Sequence, residues 1–297
     1  MDVKPGRTPS RHTCAVGVSI EATSSAAAFL EGAGSFLEER EAAHCLTLGF
    51  AGAVRARPEL AAVSFRIARV AGRIVATTMG FDESGDLTLS EVDDAAEIPA
   101  LADAVGEAIR EVHAPSEHAD ALAATIGARI GRHVATPPHA AEQRIFELTE
   151  VVAPTGVPGV LRRIDEADRA IVVAWLAAFV AEAIGGDPAP DDAWFEGLLR
   201  RPGRAAFLWQ VDDRPVSMCT TGGPTAHGIR FGGVYTPPEL RGHGYASACV
   251  AAASQRHLDE GRTRCFLLTD LANATANHIY EAIGYRPVRD FAWRLLR

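Results

Sequence analysis

The segment Gly233-Val234-Tyr235-Thr236-Pro237-Pro238-Glu239-Leu240-Arg241-Gly242-His243-Gly244-Tyr245-Ala246 constrains this chain more than any other. An apolar strand pattern over 229–235 runs into two prolines, which cannot continue a sheet ladder. Two glycines then precede a helical pattern over 246–260. A helix start presents peptide N–H groups without intrahelical partners, at the positive end of the helix dipole. Gly242 and Gly244 remove side chains that would shield those amides. Ala246 leaves room against the helix, and Arg241 adds positive charge. The spacing predicts an anion site of diphosphate size. It is not a dinucleotide fingerprint, because Ser247 stands where Gly or Ala is needed, and the Gly-Lys-Ser/Thr of a Walker loop is absent. A plain glycine-rich turn before a helix is the competing reading.

A second segment follows: Asp270-Leu271-Ala272-Asn273-Ala274-Thr275-Ala276-Asn277-His278-Ile279-Tyr280-Glu281-Ala282-Ile283-Gly284-Tyr285. Ala276, Ile279, Tyr280 and Ile283 share one helical face. Gly284 supplies the left-handed residue that ends such a helix. Tyr280 reads either as a core aromatic or as a hydroxyl at a sheet edge beside the first helix.

Together these motifs, strand-PPELRGHGYASA and N-x-x-A-N-x-I-Y-x-x-I-G-Y, resemble the GNAT superfamily of N-acetyltransferases over about residues 160–297. The resemblance implies an acyl-CoA N-acyltransferase fold and acetyl-CoA as co-substrate. It implies that Val234 and Thr236, flanking Tyr235, hold the pantetheine through their backbone. The amides of Gly242, His243, Gly244, Tyr245 and Ala246, beside Arg241, would hold the diphosphate. Asn273 would contact the pantetheine or the phosphate arm, Asn277 one turn on would also lie against the cofactor, and Tyr280 would protonate the departing thiolate. The expected reaction moves an acetyl group to a primary amine by direct attack on the thioester. A non-catalytic acyl-CoA sensor or partner-binding protein, and an enzyme using another acyl-CoA, are the alternatives. No carboxylate lies within 229–235 to act as base. Glu239, Asp270 and His227 have bland readings as surface, turn-capping and loop residues, so a water relay is expected.

The rest of the chain predicts an α/β fold, a mixed and mostly antiparallel sheet flanked by helices, in two tandem lobes. Residues 1–13 read as a tail, 14–152 as a degenerate GNAT-like lobe, 153–159 (Ala-Pro-Thr-Gly-Val-Pro-Gly) as a linker, and 160–297 as the acetyltransferase domain. The two halves share an element order, with strands at 144–152 and 288–295 in equivalent places. In the first half, helical spacing covers 26–37, 42–54, 98–112 and 119–130, and strands 63–70 and 74–81 form a hairpin. That half has no RGxGxA loop, and its acidic segment Asp82-Glu83-Ser84-Gly85-Asp86 would repel a diphosphate.

Composition bounds the partners. A net charge of −9 over 297 residues, without a long basic run, argues against nucleic acid. The longest apolar run, 170–181, is too short to span a bilayer and reads as a buried helix, so no membrane partner is expected. Five widely spaced cysteines form neither a disulfide framework nor a CxxC knuckle, and the histidines show no metal spacing, so no metal is predicted. Residues 1–13 lack a signal peptide's apolar stretch. A cytoplasmic monomer or homodimer acting on a small-molecule or peptide amine is the expectation.

Overall fold

The computed structural model describes residues 11–13, 17–60, 62–81, 84–92, 95–185 and 191–297. The acidic pair Asp82-Glu83, named above, lies outside the described residues, as do residues 1–10 of the expected tail and one of the five cysteines, Cys14. The chain divides into two compact units, residues 1–137 with 290–297, and residues 138–289. No described helix is long and apolar enough to cross a membrane.

In chain order the first elements are β1 (Arg11–Thr13), β2 (Val18–Thr23), α1 (Ala26–Glu38), α2 (Cys45–Ala56), β3 (Val63–Val70), β4 (Arg73–Phe81), β5 (Asp86–Leu89), α3 (Ile98–Ala104), β6 (Glu111–Pro115), α4 (Ser116–Ile130) and β7 (Val134–Ala135). There follow β8 (Glu142–Leu148), β9 (Val160–Arg163), α5 (Arg169–Phe179), α6 (Asp192–Arg200), β10 (Ala205–Val211), β11 (Arg214–Gly222), β12 (Gly228–Tyr235), α7 (Tyr245–Asp259), β13 (Arg264–Asp270), α8 (Ala274–Ala282) and β14 (Arg286–Leu296). The second unit's sheet runs β8-β13-β12-β11-β10-β9, and the first unit's runs β1-β2-β3-β4-β5-β6-β14. Each has one parallel pair, β12 with β13 and β5 with β6.

Both units are α/β sandwiches of the expected kind, with helices on each sheet face. The period of two along β10 shows how. Ala205, Phe207 and Trp209 enter the core shared with α7 and Tyr280, while Ala206 and Leu208 enter the core shared with α5 and α6. In the first unit Leu87 and Leu89 of β5 join α3 and α4, while Phe65 and Met79 join α1 and α2.

Three sequence expectations change. The closing strands are exchanged: Leu148 of β8 lies opposite Cys265 of β13 in the second unit, and Phe291 of β14 lies opposite Pro115 of β6 in the first. The boundaries 14–152 and 160–297 keep each closing strand with its own half, so the compact units divide the chain differently. Alternation specifies which face a strand buries, not which sheet it joins. The segment 153–159 is irregular but lies inside the second unit. Second, the helix expected over 98–112 stops at Ala104, because Val105 is extended (φ −83°, ψ 155°) and Gly106 follows; Glu111–Pro115 is a strand. Third, the apolar run 170–181 is not a buried helix: only Val172 and Leu176 of α5 are fully buried.

Candidate active site

The site begins where the second sheet splits. Parallel pairing of β12 with β13 runs from Gly228 opposite Arg264 to Phe231 opposite Leu267 and stops, although both strands continue. A bulge turns β12 away. On the β11 side Thr220 faces Gly232 and Met218 faces Tyr235, so Gly233 and Val234 share the place opposite Cys219. Gly233 sits at φ +54°, where a Cβ would meet Thr220 Oγ1 at 3.0 Å and Leu176 Cδ2 at 3.1 Å. Thr220 Oγ1 donates to the Gly232 carbonyl at 2.9 Å and fixes the bend.

The glycine-rich turn lies at the open end of this split. Gly242 and Gly244 have φ of +82° and +78°, and Gly244 is the N-cap of α7, with no side-chain cap. Among the described residues, the N–H groups of Gly242 through Ser247 donate no hydrogen bond; the first return bond is from Ala248 N–H to the Gly244 carbonyl, 3.0 Å. Residues 241–244 are exposed, and Tyr245 and Ala246 are half-buried. The turn therefore offers a run of unpaired donors at a helix dipole's positive end. His243 stacks on Tyr245 (centroids 5.3 Å, interplanar 11°), and its Nδ1 donates to the Arg241 carbonyl at 2.9 Å. Arg241 turns back: Nε donates to the Thr236 carbonyl at 2.9 Å and Nη2 to Glu182 at 2.7 Å.

On the other side of the split stands α8. Asn273 caps it, accepting from Ala276 N–H at 3.0 Å. Asp270 accepts from Ala272 N–H (2.8 Å) and Ala140 N–H (3.2 Å), so its carboxylate serves the turn. Asn277 Nδ2 donates to the carbonyls of Asp270 and Leu271, each at 3.2 Å, which fixes the amide's orientation. Its Oδ1 is then left buried without a donor. Such an orphan acceptor costs about 1–3 kcal/mol unless a ligand satisfies it. Gly284, at φ +110°, closes the helix, and Tyr285 N–H returns to the Tyr280 carbonyl at 3.0 Å.

Tyr280 is a core aromatic whose hydroxyl is left without a protein partner among the described residues. It is 8% exposed, within the core, with its ring 6.0 Å from Tyr285 and 6.4 Å from Phe146. Tyr285 shares a 2.9 Å hydrogen bond with Ser254, whereas the Tyr280 hydroxyl has no partner among the described residues. Burial, reinforced by nearby Cys219, holds its pKa well above the ordinary phenol range. The same environment pushes the Cys265 thiol up to about 12.

The opposite face of β12 carries groups that motif reading passed over. The Tyr235 ring, expected beside the donor, packs with α5 and α6, 6.1 Å from Trp175. Burial, then the charge of Glu182, raises its phenol pKa. Glu182 belongs to a π-helical turn, Val180–Ile184, which continues α5 and ends at Gly185 (φ 72°). Ser217 Oγ donates to the Tyr235 carbonyl (3.1 Å) and accepts from Thr236 Oγ1 (2.9 Å), locking the strand's end. Glu182 follows a featureless apolar run, and only its place in the fold marks it. Gly233 had a signal, the Gly-Gly pair inside a strand pattern.

In the first unit, the matching place is filled. Asp86 faces Glu111 as Gly228 faces Arg264, so Glu91 occupies the position of Gly233. His44, the N-cap of α2, accepts the Glu91 N–H through Nε2 at 3.1 Å and hydrogen-bonds the Leu37 carbonyl through Nδ1 at 2.9 Å. Glu91 and Glu97, between β5 and α3, are buried acids, and Asp86 of the acidic segment belongs to β5.

Comparison with known proteins gives the site its context. Residues 171–285 match the Acetyltransferase (GNAT) family. Among solved structures the chain is similar to a GCN5-related N-acetyltransferase from Kribbella flavida (17% identity, 75% of this chain and 90% of that one, TM-score 0.52). It is also similar to a GCN5-related N-acetyltransferase from Sphaerobacter thermophilus (14%, 86% and 90%, TM-score 0.57). A tandem GNAT protein from the clavulanic acid biosynthesis pathway aligns over 93% of this chain and 98% of its own (17%, TM-score 0.53). At these identities the likeness is one of fold. Among curated proteins, none matches the sequence.

Proposed function

Because residues 171–285 match the Acetyltransferase (GNAT) family, we propose that the chain transfers an acetyl group from acetyl-CoA to the primary amine of an acceptor. The observation that carries this reading is the run of unpaired N–H groups from Gly242 to Ser247 at the open end of a split sheet. A diphosphate fits them: the glycines leave the turn clear, and a Cβ at Gly244 would reach within 2.9 Å of Val157.

The donor's pantetheine then runs into the gap between β12 and β13, along Val234 and Thr236. Asn277 Oδ1 accepts one of its amide N–H groups, and Asn273 lies at the same helix end. The backbone freed by the Gly233 bulge offers N–H donors to the thioester oxygen, where negative charge grows as the amine attacks. The nitrogen–carbon bond forms, the carbon–sulfur bond breaks, and the thiolate takes the Tyr280 proton. A phenol of raised pKa is still a competent donor here, because burial raises a thiol's pKa too, as at Cys265. The acceptor ammonium gives up one proton to solvent before it attacks as the neutral amine and a second as the amide forms, and solvent returns a proton to Tyr280.

The first lobe we take to be a non-binding relative of the second, since His44 occupies the backbone N–H at the place where the second lobe leaves donors open for a thioester oxygen. The test is a screen of amines with free thiol release as readout, alongside thermal unfolding with acetyl-CoA. Thiol release with a subset of amines and a rise in Tm support the reading. Donor binding with no release across the panel supports the sensor alternative instead, and succinyl- or propionyl-CoA in the same assay tests acyl preference.

A further inference from the structure

The acceptor's chemistry can be argued from the face of β12 that the donor does not use. Helical spacing sets Trp175, Phe179 and Glu182 on successive turns of one face. Trp175 and Phe179 are half-buried in the core that holds Tyr235, the Trp175 ring is 6.1 Å from the Tyr235 ring, and Arg241, paired with Glu182, lies 5.9 Å over that same ring. An apolar aromatic wall thus ends in a negative charge beside the strand end where the thioester would lie. The π-helical turn carrying Glu182 is an irregularity common at functional sites. Asp270 is committed to two backbone N–H groups and β12 carries no acid; exposed Glu239, in the turn after β12, is the other carboxylate acting on Tyr235.

We infer that the acceptor is a primary amine carried on an apolar or aromatic frame, with its ammonium group received by Glu182 and its frame by the Trp175–Tyr235 wall. This rests on the acetyltransferase reading. Glu182 is bound to Arg241 at 2.7 Å, and Arg241 immediately precedes the diphosphate turn. A donor's diphosphate competes for the same guanidinium, which is about half exposed (48%) and otherwise held by the Thr236 carbonyl. Donor binding therefore releases the Glu182 carboxylate for the amine.

The experiment compares 2-phenylethylamine with ethanolamine as acceptors, in wild type and Glu182→Gln, with calorimetry of acetyl-CoA on both proteins. Expected is a kcat/KM for 2-phenylethylamine roughly 10- to 100-fold above ethanolamine, the scale set by burying a ring. Glu182→Gln should raise the phenylethylamine KM roughly tenfold or more, the scale of one charged hydrogen bond. Donor Kd should stay the same or tighten. Equal or reversed amine preference, an unchanged KM, or a donor Kd weakened tenfold overturns the proposal; the last would make Glu182 a scaffold for Arg241. If acetyl-CoA binds and neither amine is acetylated, the acceptor assignment fails alone. If acetyl-CoA does not bind the wild type, the reading beneath it fails as well.

Discussion

His44 Nε2 accepts the Glu91 N–H at 3.1 Å, at the sheet position that Gly233 holds in the second lobe. One lobe thus uses its own imidazole where the other leaves the backbone open. Both His44 and His257 are buried, and burial lowers their pKa from 6.5. Each binds protons less readily folded than unfolded. Their contribution to stability is therefore complete above pH 6.5 and is lost as pH falls from there toward the folded values. Urea unfolding should show a drop in stability between pH 7.5 and 5.5. His44→Ala should cost about 1–3 kcal/mol at pH 7.5 and flatten that drop, while leaving acetyl-CoA affinity within twofold. A large loss of affinity would move donor binding into the first lobe.

The two glycines of the turn separate strain from contact. Both hold positive φ, a conformation costing other residues about 1–2 kcal/mol. At Gly242 an added Cβ meets nothing within 4 Å, whereas at Gly244 it lies 2.9 Å from Val157 Cγ2. Gly244→Ala should destabilise more than Gly242→Ala by chemical unfolding, and both should weaken acetyl-CoA at least tenfold by calorimetry. Retained affinity in both would remove the diphosphate from this turn.

Arg162 and Asp168 make paired 2.6 Å hydrogen bonds, and Asp168 also accepts the Asp165 N–H at 2.8 Å. This ties β9 to the start of α5. The Arg162 side chain, then the backbone N–H, hold the Asp168 carboxyl below its ordinary 3.8 despite burial. The sign is that of a depressed acid: its stabilisation is present above pH 3.8 and lost as pH falls below it. Asp168→Asn keeps the size but breaks the charge pair, and should cost about 3 kcal/mol in urea unfolding at pH 7. The cost should shrink toward pH 3.

What could be read in advance was whatever depends on neighbours in sequence. The glycine turn, the face shared by Tyr280 and Ile283, and the cap at Gly284 are all local patterns, and the fold gives each the expected shape. What could not be read depends on distant pairing. β8 and β14 both form where strands are expected, yet each pairs with the sheet of the other half. The 111–115 strand was hidden because its apolar residues continue the α3 spacing past Gly106. Glu182 and His44 gain meaning only from what lies across from them, Arg241 with Tyr235 in one case and the Glu91 amide in the other.

The last expectation concerns Tyr280, whose hydroxyl binds nothing within the described protein although its ring is 8% exposed. Removing that hydroxyl breaks no internal hydrogen bond and opens almost no cavity, so Tyr280→Phe should leave stability within about 0.5 kcal/mol. It should also leave acetyl-CoA Kd within about threefold, since the acid acts after binding. Turnover should nevertheless fall on the order of 100-fold, the usual scale for a positioned acid. Steady-state kcat, calorimetric Kd and urea unfolding on the one variant separate these effects. Unchanged kcat would leave the thiolate to be protonated by solvent, and equal losses in kcat and stability would make Tyr280 a core residue only.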